Sequence, residues 1–239
     1  MNNNITISAV FASPNFNNRT LPITMLIMHY TISDFQGTIN TFLNPASKVS
    51  SHYLINTDGK TYECVAEDKR SWHAGLSKWE SIINCNSASL GLEIVNAGYV
   101  KGKQPSFTEP QLVAVEALSK YLILKYNIKP HLVVGHSDIA PDRKIDPGPA
   151  FPWKRMAKSK IGLFPTAKEI AQQETKLYLG DEKSLHQFGY NVKDKAFLDF
   201  SKKAFQLHYN TDAYRKNLEF GEQERRTLQA LLALKKATV

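Results

Sequence analysis

Three side chains, His29, His136 and Asp146, have the types and settings to hold a metal ion. His29 lies near the end of a short apolar run, Ile23 to Tyr30, and His136 follows a second run, His131 to Gly135. If both runs are strands of one sheet, their terminal side chains can converge on a cleft at the sheet edge. Asp146 comes ten residues after His136, in a loop stiffened by Pro141, Pro147 and Pro149. Two imidazoles and a carboxylate suit zinc, and three protein ligands leave a fourth tetrahedral position for water, the mark of a catalytic rather than a structural site. Spacing alone leaves a second reading open, in which each is an ordinary core or surface group. No H-E-x-x-H helix motif ties the residues together.

Other side chains suggest parts of a reaction. Glu93 sits inside Leu90-Gly-Leu-Glu-Ile-Val95, a strand otherwise apolar on both sides. A buried carboxylate is costly unless paired or functional, and burial raises its pKa toward the range of a general base. A partner Arg or Lys on a neighbouring strand is the alternative. Lys144 is two residues before Asp146; in an extended loop the two point the same way, so Lys144 can reach the same cleft and stabilise an oxyanion, or else is a solvated loop lysine. In Trp72-His73-Ala74-Gly75, Trp72 can wall a sugar or peptide and His73 can donate to a substrate carbonyl; alternatively both only pack. His52, within a strand, reads as structural. Cys64 and Cys85 form no C-x-x-C pair and read as two buried or free thiols, a single disulfide needing an oxidising compartment.

These residues need elements to position them. The first twenty residues, rich in Asn, Ser and Thr, read as an irregular lead-in. Phe35 to Phe42 reads as a short helix closed by Asn44-Pro45. Asp58-Gly59 between two strand-like runs predicts a hairpin, and Ser89 to Val95 a central strand. Thr108 and Gln111 form a capping box for a helix whose Leu112, Val115, Leu118 and Leu122 face a core. Strands and helices thus mix over residues 20–160, which predicts an α/β domain with a central mixed sheet flanked by helices. After the turn-rich segment Asp146 to Trp153 the composition becomes Lys-, Gln- and Leu-rich, with helices expected at Thr166 to Leu179, Asp194 to Tyr209 and Glu222 to Lys236. The expected division is a catalytic domain over 1–165 and a small all-α module over 166–239.

Size and charge fit this division. The 239 residues suggest one large domain, or one plus a small one, at about 150 residues per domain. No apolar stretch approaches the roughly 18 residues of a transmembrane helix, and Ile23 to Met28 is too short for a signal-peptide core. The net charge of +8 is spread over both parts, with 17 basic and 12 acidic side chains in residues 1–165 and 13 and 10 in residues 166–239. Without a basic arm or cluster this argues against a nucleic-acid partner and for a loose attraction to an anionic polymer or surface.

The motifs together resemble a known family. Met28-His-Tyr-Thr31, Val49-Ser-Ser-His-Tyr-Leu-Ile55, Trp72-His-Ala-Gly75, Leu90-Gly-Leu-Glu-Ile-Val-Asn96 and the long run Gly135 to Pro149 are similar, in this order, to the zinc-dependent N-acetylmuramoyl-L-alanine amidases of the peptidoglycan-recognition-protein fold, in an AmiD-like branch related to AmpD. The resemblance implies that His29, His136 and Asp146 bind one zinc ion, that Glu93 is the catalytic glutamate and Lys144 assists the transition state, and that His73 lies on the substrate side. It leaves no zinc role for Cys64 or Cys85. It implies hydrolysis of the amide between N-acetylmuramic acid, including its 1,6-anhydro form, and L-alanine, with peptidoglycan or muropeptides as partner. A non-catalytic peptidoglycan receptor of the same fold and a zinc peptidase acting within the stem peptide are the alternatives, and monomer and homodimer stay open. Leu185-His-Gln-Phe-Gly-Tyr190 and Ala204-Phe-Gln-Leu-His-Tyr209 resemble the branch's helical peptidoglycan-binding-like module. Location in the periplasm or cell envelope follows from the resemblance; a chain opening Met-Asn-Asn-Asn, with no signal segment or lipidated Cys, keeps a cytoplasmic alternative.

Overall fold

A fully buried strand organises the sheet. The computed structural model describes residues 6–173 and 178–238. Its first half runs β1 (Ile7–Val10), β2 (Phe16–Asn18), β3 (Met25–Tyr30), α1 (Phe35–Leu43), β4 (Tyr53–Ile55), β5 (Thr61–Glu63) and β6 (Lys69–Ser71). Then come α2 (Cys85–Ala88), β7 (Ser89–Ile94), α3 (Glu109–Tyr126), β8 (Val133–Gly135) and α4 (His136–Ile139). The main sheet has the order β1-β5-β4-β7-β3-β8, and β2 pairs only with β6. β3 lies parallel to both β7 and β8, and all six of its residues are buried. That explains its continuous apolar sequence, since a parallel strand covered on both faces has no polar side to show.

The expected hairpin forms between antiparallel β4 and β5, with Gly59 at φ +80°. Gly59 is needed twice over, because a Cβ there would also come within 2.7 Å of the Pro110 carbonyl oxygen. α3 starts on the predicted Thr108–Gln111 capping box and buries Leu112, Val115, Leu118 and Leu122. The lead-in departs from expectation: β1 pairs parallel with β5, and β2 antiparallel with β6. Both are short and largely exposed, so their hydrogen bonds come from a partner strand and no apolar alternation announces them.

The remaining helices are α5 (Trp153–Lys158), α6 (Ala167–Ala171), α7 (Asp181–Phe188), α8 (Lys195–Tyr209), α9 (Thr211–Arg215) and α10 (Glu222–Thr238). α8 and α10 match the expected spans. The long helix expected from Thr166 to Leu179 does not: α6 ends at Ala171, Tyr178 to Gly180 are non-helical, and residues 174–177 lie outside the described residues. A capping box starts α6, but none of its residues is buried, so little packing supports a longer helix.

The helical part shares its apolar core with the sheet part. Phe188, Tyr190, Phe205, Leu228 and Leu231 belong to the same buried cluster as Met28, Leu92, Trp79 and Trp153. The polar joint is Asp138, fully buried on α4. It accepts hydrogen bonds from the Gly135 N–H (2.7 Å), the Tyr190 hydroxyl (2.7 Å) and His208 Nδ1 (2.8 Å). The His208 ring is itself stacked between Trp153 and Tyr209, at 3.8 and 4.0 Å.

Candidate metal centre

Strand register brings the three candidate ligands and Glu93 to one sheet edge. On β3, His29 is directly opposite Glu93 of β7, and Met28 is opposite Gly135, which ends β8. His136 therefore begins α4 where the sheet stops, rather than ending a strand. The loop carrying Asp146 is anchored by the Ser137 N–H to the Asp146 carbonyl (2.9 Å). Gln104 adds two more ties, donating to the Pro147 carbonyl (2.8 Å) and accepting from the Ala150 N–H (2.9 Å).

Three donor atoms converge as a result. His29 Nδ1 is 3.0 Å from His136 Nδ1 and 2.9 Å from Asp146 Oδ2, and His136 Nδ1 is 3.0 Å from the same oxygen. All three residues are buried. The outer nitrogens point away: His136 Nε2 is 3.1 Å from the Ala74 carbonyl, and His29 Nε2 is 2.9 Å from His73 Nδ1. A carbonyl can only accept, so the single proton of a neutral His136 sits on Nε2 and its Nδ1 carries a lone pair. Burial and the neighbouring His136 pull His29 down to about 4, so the His29 ring is neutral near pH 7. Burial alone would raise the Asp146 carboxyl, but His136 and His29 outweigh it and hold the group well below the usual carboxylate range. Two imidazole lone pairs and one carboxylate oxygen are the donor set of a divalent metal with nitrogen and oxygen preference, so the residues fit zinc.

Glu93 is 8% exposed, and its Oε2 is buried without a hydrogen-bond partner. Burial lifts its carboxyl well above the ordinary value, Asp146 adds to the rise and Lys144 opposes it. Among the described residues, Glu93 has no direct Arg or Lys partner of the kind the alternative reading required. Lys144 is half-buried and, with Tyr30, Ile32, Tyr99, Ile145 and Asp146, bounds a cavity of about 200 Å³. A cavity of about 560 Å³ lies elsewhere, around Tyr53, Glu67 and Tyr126; Glu67 is already bonded there by Tyr53, Tyr126 and Lys125. The smaller cavity is the one beside the chemistry.

Trp72 is more exposed than its neighbour His73. Trp72 is half-buried at the β2–β6 ribbon, its indole N–H donating to Asn17 Oδ1 (3.2 Å) and its ring 5.9 Å from Lys48 Nζ. His73 is 6% exposed and lies behind His29, with Nε2 3.2 Å from Ser89 Oγ. Both of its nitrogens are engaged inside the protein, which leaves none to donate to a substrate carbonyl. His52 is buried and bonded to the Gly91 N–H (3.0 Å), Ser71 and Arg19, a structural setting as expected. Cys64 and Cys85 are both buried free thiols, raised by burial to about 12 and about 11. Sequence reasoning missed Ser89, Asn86 and Arg143. Asn86 Oδ1 accepts from the His73 and Ala74 N–H groups at 3.0 and 2.6 Å, and Arg143 Nη2 donates to the Ala74 and Leu76 carbonyls, both at 2.6 Å. Ordinary Ser, Asn and Arg codes carry no pattern that marks such contacts.

A mixed sheet thus gathers at one edge two histidines and a carboxylate that could hold a metal ion, with a buried glutamate oxygen left unpartnered beside them. The profile of the Amidase_2 family, described as N-acetylmuramoyl-L-alanine amidase, matches residues 19–149, and the chain belongs to this family. It is 34% identical over 236 residues to the N-acetylmuramoyl-L-alanine amidase AmiD of Escherichia coli K12, covering 88% of this chain and 82% of that protein. It is 39% identical over 127 residues to the 1,6-anhydro-N-acetylmuramyl-L-alanine amidase AmpD of the same strain, 51% of this chain and 67% of that one. The solved complex of Escherichia coli AmiD with anhydro-N-acetylmuramic acid-L-Ala-D-gamma-Glu-L-Lys superposes with a TM-score of 0.78 at 32% identity, covering 90% of this chain and 91% of the other. The Pseudomonas aeruginosa protein AMPDH3 with bound anhydromuramic pentapeptide gives 0.79 at 29% identity, over 91% and 93%.

Proposed function

We propose that this chain hydrolyses the amide joining the lactyl group of N-acetylmuramic acid, including its 1,6-anhydro form, to L-alanine in peptidoglycan or its fragments. The observation that carries the reading is Glu93: a buried, unpartnered carboxyl oxygen beside a converging His–His–Asp donor set. His29, His136 and Asp146 would hold one zinc ion, which supplies a Lewis acid for the scissile carbonyl and acidifies the attacking water. Glu93 takes the proton of that water and returns it to the leaving amine of L-alanine. Lys144 brings a positive charge toward the developing oxyanion. Tyr30, Tyr99 and Ile145 line the cavity that Lys144 and Asp146 share.

Residues 166–239 are proposed as a peptidoglycan-binding-like helical module following the 1–165 catalytic domain. The AmiD alignment, which spans most of both parts, supports this. Among the described residues no helix is long and apolar enough to cross a membrane. The proposed location is the periplasm or cell envelope, where the polymer is.

The test is digestion of intact sacculi and of soluble anhydro-muropeptides side by side, with mass spectrometry of the products. An amidase releases the whole stem peptide from the sugar. Cleavage within the stem would replace this reading by a peptidase, and binding without turnover would replace it by a receptor.

A further inference from the structure

We infer that His73 and Ala74 form the orienting layer of the candidate metal centre: His73 Nδ1 and the Ala74 carbonyl each take the outward proton of one candidate ligand imidazole, so that both Nδ1 lone pairs face the place of the ion. This deepens the metal-site reading above and rests on it.

The proton positions follow from groups that can only accept. Ser89 Oγ lies 2.5 Å from the Cys85 carbonyl and 3.2 Å from His73 Nε2. A hydroxyl has one proton, and a carbonyl has none to give, so Ser89 donates to Cys85 and accepts from His73. The proton of His73 is therefore on Nε2, and its Nδ1 is a bare acceptor. The group 2.9 Å from that acceptor is His29 Nε2, which must bring the proton. His29 Nδ1 is left bare toward His136 and Asp146. On the other side, His136 Nε2 donates to the Ala74 carbonyl at 3.1 Å, with the same result for its Nδ1.

Adjacent residues of one loop thus serve both ligands, and the loop is itself fixed. The Asn86 side chain receives the His73 and Ala74 N–H groups, and Arg143 straps the Ala74 and Leu76 carbonyls. His73 is a positioning residue, acting on the ion only through His29. Outer partners of ligand imidazoles fix ring orientation and raise ligand basicity, and their loss typically costs about 10–100-fold in metal affinity.

Two measurements test this. Long-range ¹H–¹⁵N spectra of the metal-free wild-type protein are expected to show His29 and His136 as Nε2–H tautomers and His73 as Nε2–H. An Nδ1–H tautomer at His29 or His136 overturns the inference. Zinc affinity, read by competition with a chelator, is expected to fall about 10–100-fold in His73→Leu. In His73→Asn, whose amide oxygen replaces the Nδ1 acceptor, most of that loss should be recovered. Equal zinc affinity in wild type and His73→Leu, or no recovery in His73→Asn, defeats the positioning role while leaving the metal site intact. A wild-type chain that binds no zinc defeats the metal-site reading itself.

Discussion

His29 and Glu93 occupy one rung of the parallel β3–β7 ladder, which fixes a candidate ligand and a candidate proton carrier side by side. Backbone pairing rather than side-chain flexibility sets their separation. The arrangement has a cost, since it buries a carboxyl with one oxygen unpartnered.

Glu93→Gln should lower turnover by about 10²–10⁴-fold while zinc is retained, because only the proton carrier is lost. The same variant carries a stability signature in the metal-free protein. The Glu93 carboxyl is raised in the folded state, chiefly by burial, so the native chain holds a proton that the unfolded chain releases above about pH 4.3. Stability from this group is full below that pH and declines as pH rises toward the folded value. Gln removes the decline: the thermal midpoint of the metal-free variant should exceed that of wild type at pH 7 and match it near pH 4. Equal midpoints at both pH values would show that burial of Glu93 carries no such penalty.

Lys144→Met keeps the aliphatic stem of Lys144 beside Tyr99 and Ile145 but removes its charge. Turnover should fall about 10²–10³-fold with KM little changed, since the charge is needed where the oxyanion develops. With the charge gone, the Glu93 carboxyl should titrate still higher, because Lys144 opposes its rise. Steady-state kinetics across pH check both; an unchanged kcat would remove Lys144 from the reaction.

The sheet and the convergence of the candidate ligands were largely legible in the sequence because they obey period and type rules. The all-apolar β3, the Asp58-Gly59 turn, the capping box at Thr108 and the stripe on α3 are each written in consecutive residues. The three residues that converge as candidate ligands drew notice as unusual types: His29 and His136 at the ends of apolar runs, Asp146 in the Pro-rich loop that follows. What escaped was whatever depends on a partner far along the chain: β1 and β2, which exist through β5 and β6, and the early end of α6. His73 was the instructive case. As a polar residue in a loop beside Trp72 it reads as a substrate contact, and only the distances to His29 and Ser89 reveal that it faces inward.

Gly91→Ala tests how tightly that inward layer is packed. A Cβ at Gly91 would stand 2.6 Å from His73 Cγ and 2.7 Å from Ser51 Oγ, closer than real contacts allow. Gly91 lies on β7 opposite Ile27 of β3, so the strand cannot move aside without breaking the ladder. The His73 ring must shift instead, at about 1–3 kcal/mol in stability, and zinc affinity should fall with it. Urea unfolding together with chelator competition measures the two effects. Wild-type zinc affinity in a destabilised Gly91→Ala chain would mean that the His73 ring can move without disturbing His29.

Asp138→Ala asks whether the helical part stabilises the metal centre as well as any polymer contact it makes. Asp138 collects Gly135, Tyr190 and His208, so it joins the end of β8 to the loop after α7 and to α8. Removing the carboxylate strands three buried donors at about 1–3 kcal/mol each. The loss should reach the Gly135–His136 junction, where β8 passes into α4. The expected result is a single urea transition moved to much lower midpoint, with weakened zinc retention, because the two parts share one apolar core. Tyr190→Phe, which strips one donor and leaves the ring packed against Trp79 at 5.0 Å, should show a smaller shift of the same kind. Two separated transitions in Asp138→Ala, with full zinc retention in the more stable one, would instead show that the helical part docks on the catalytic part without bracing it.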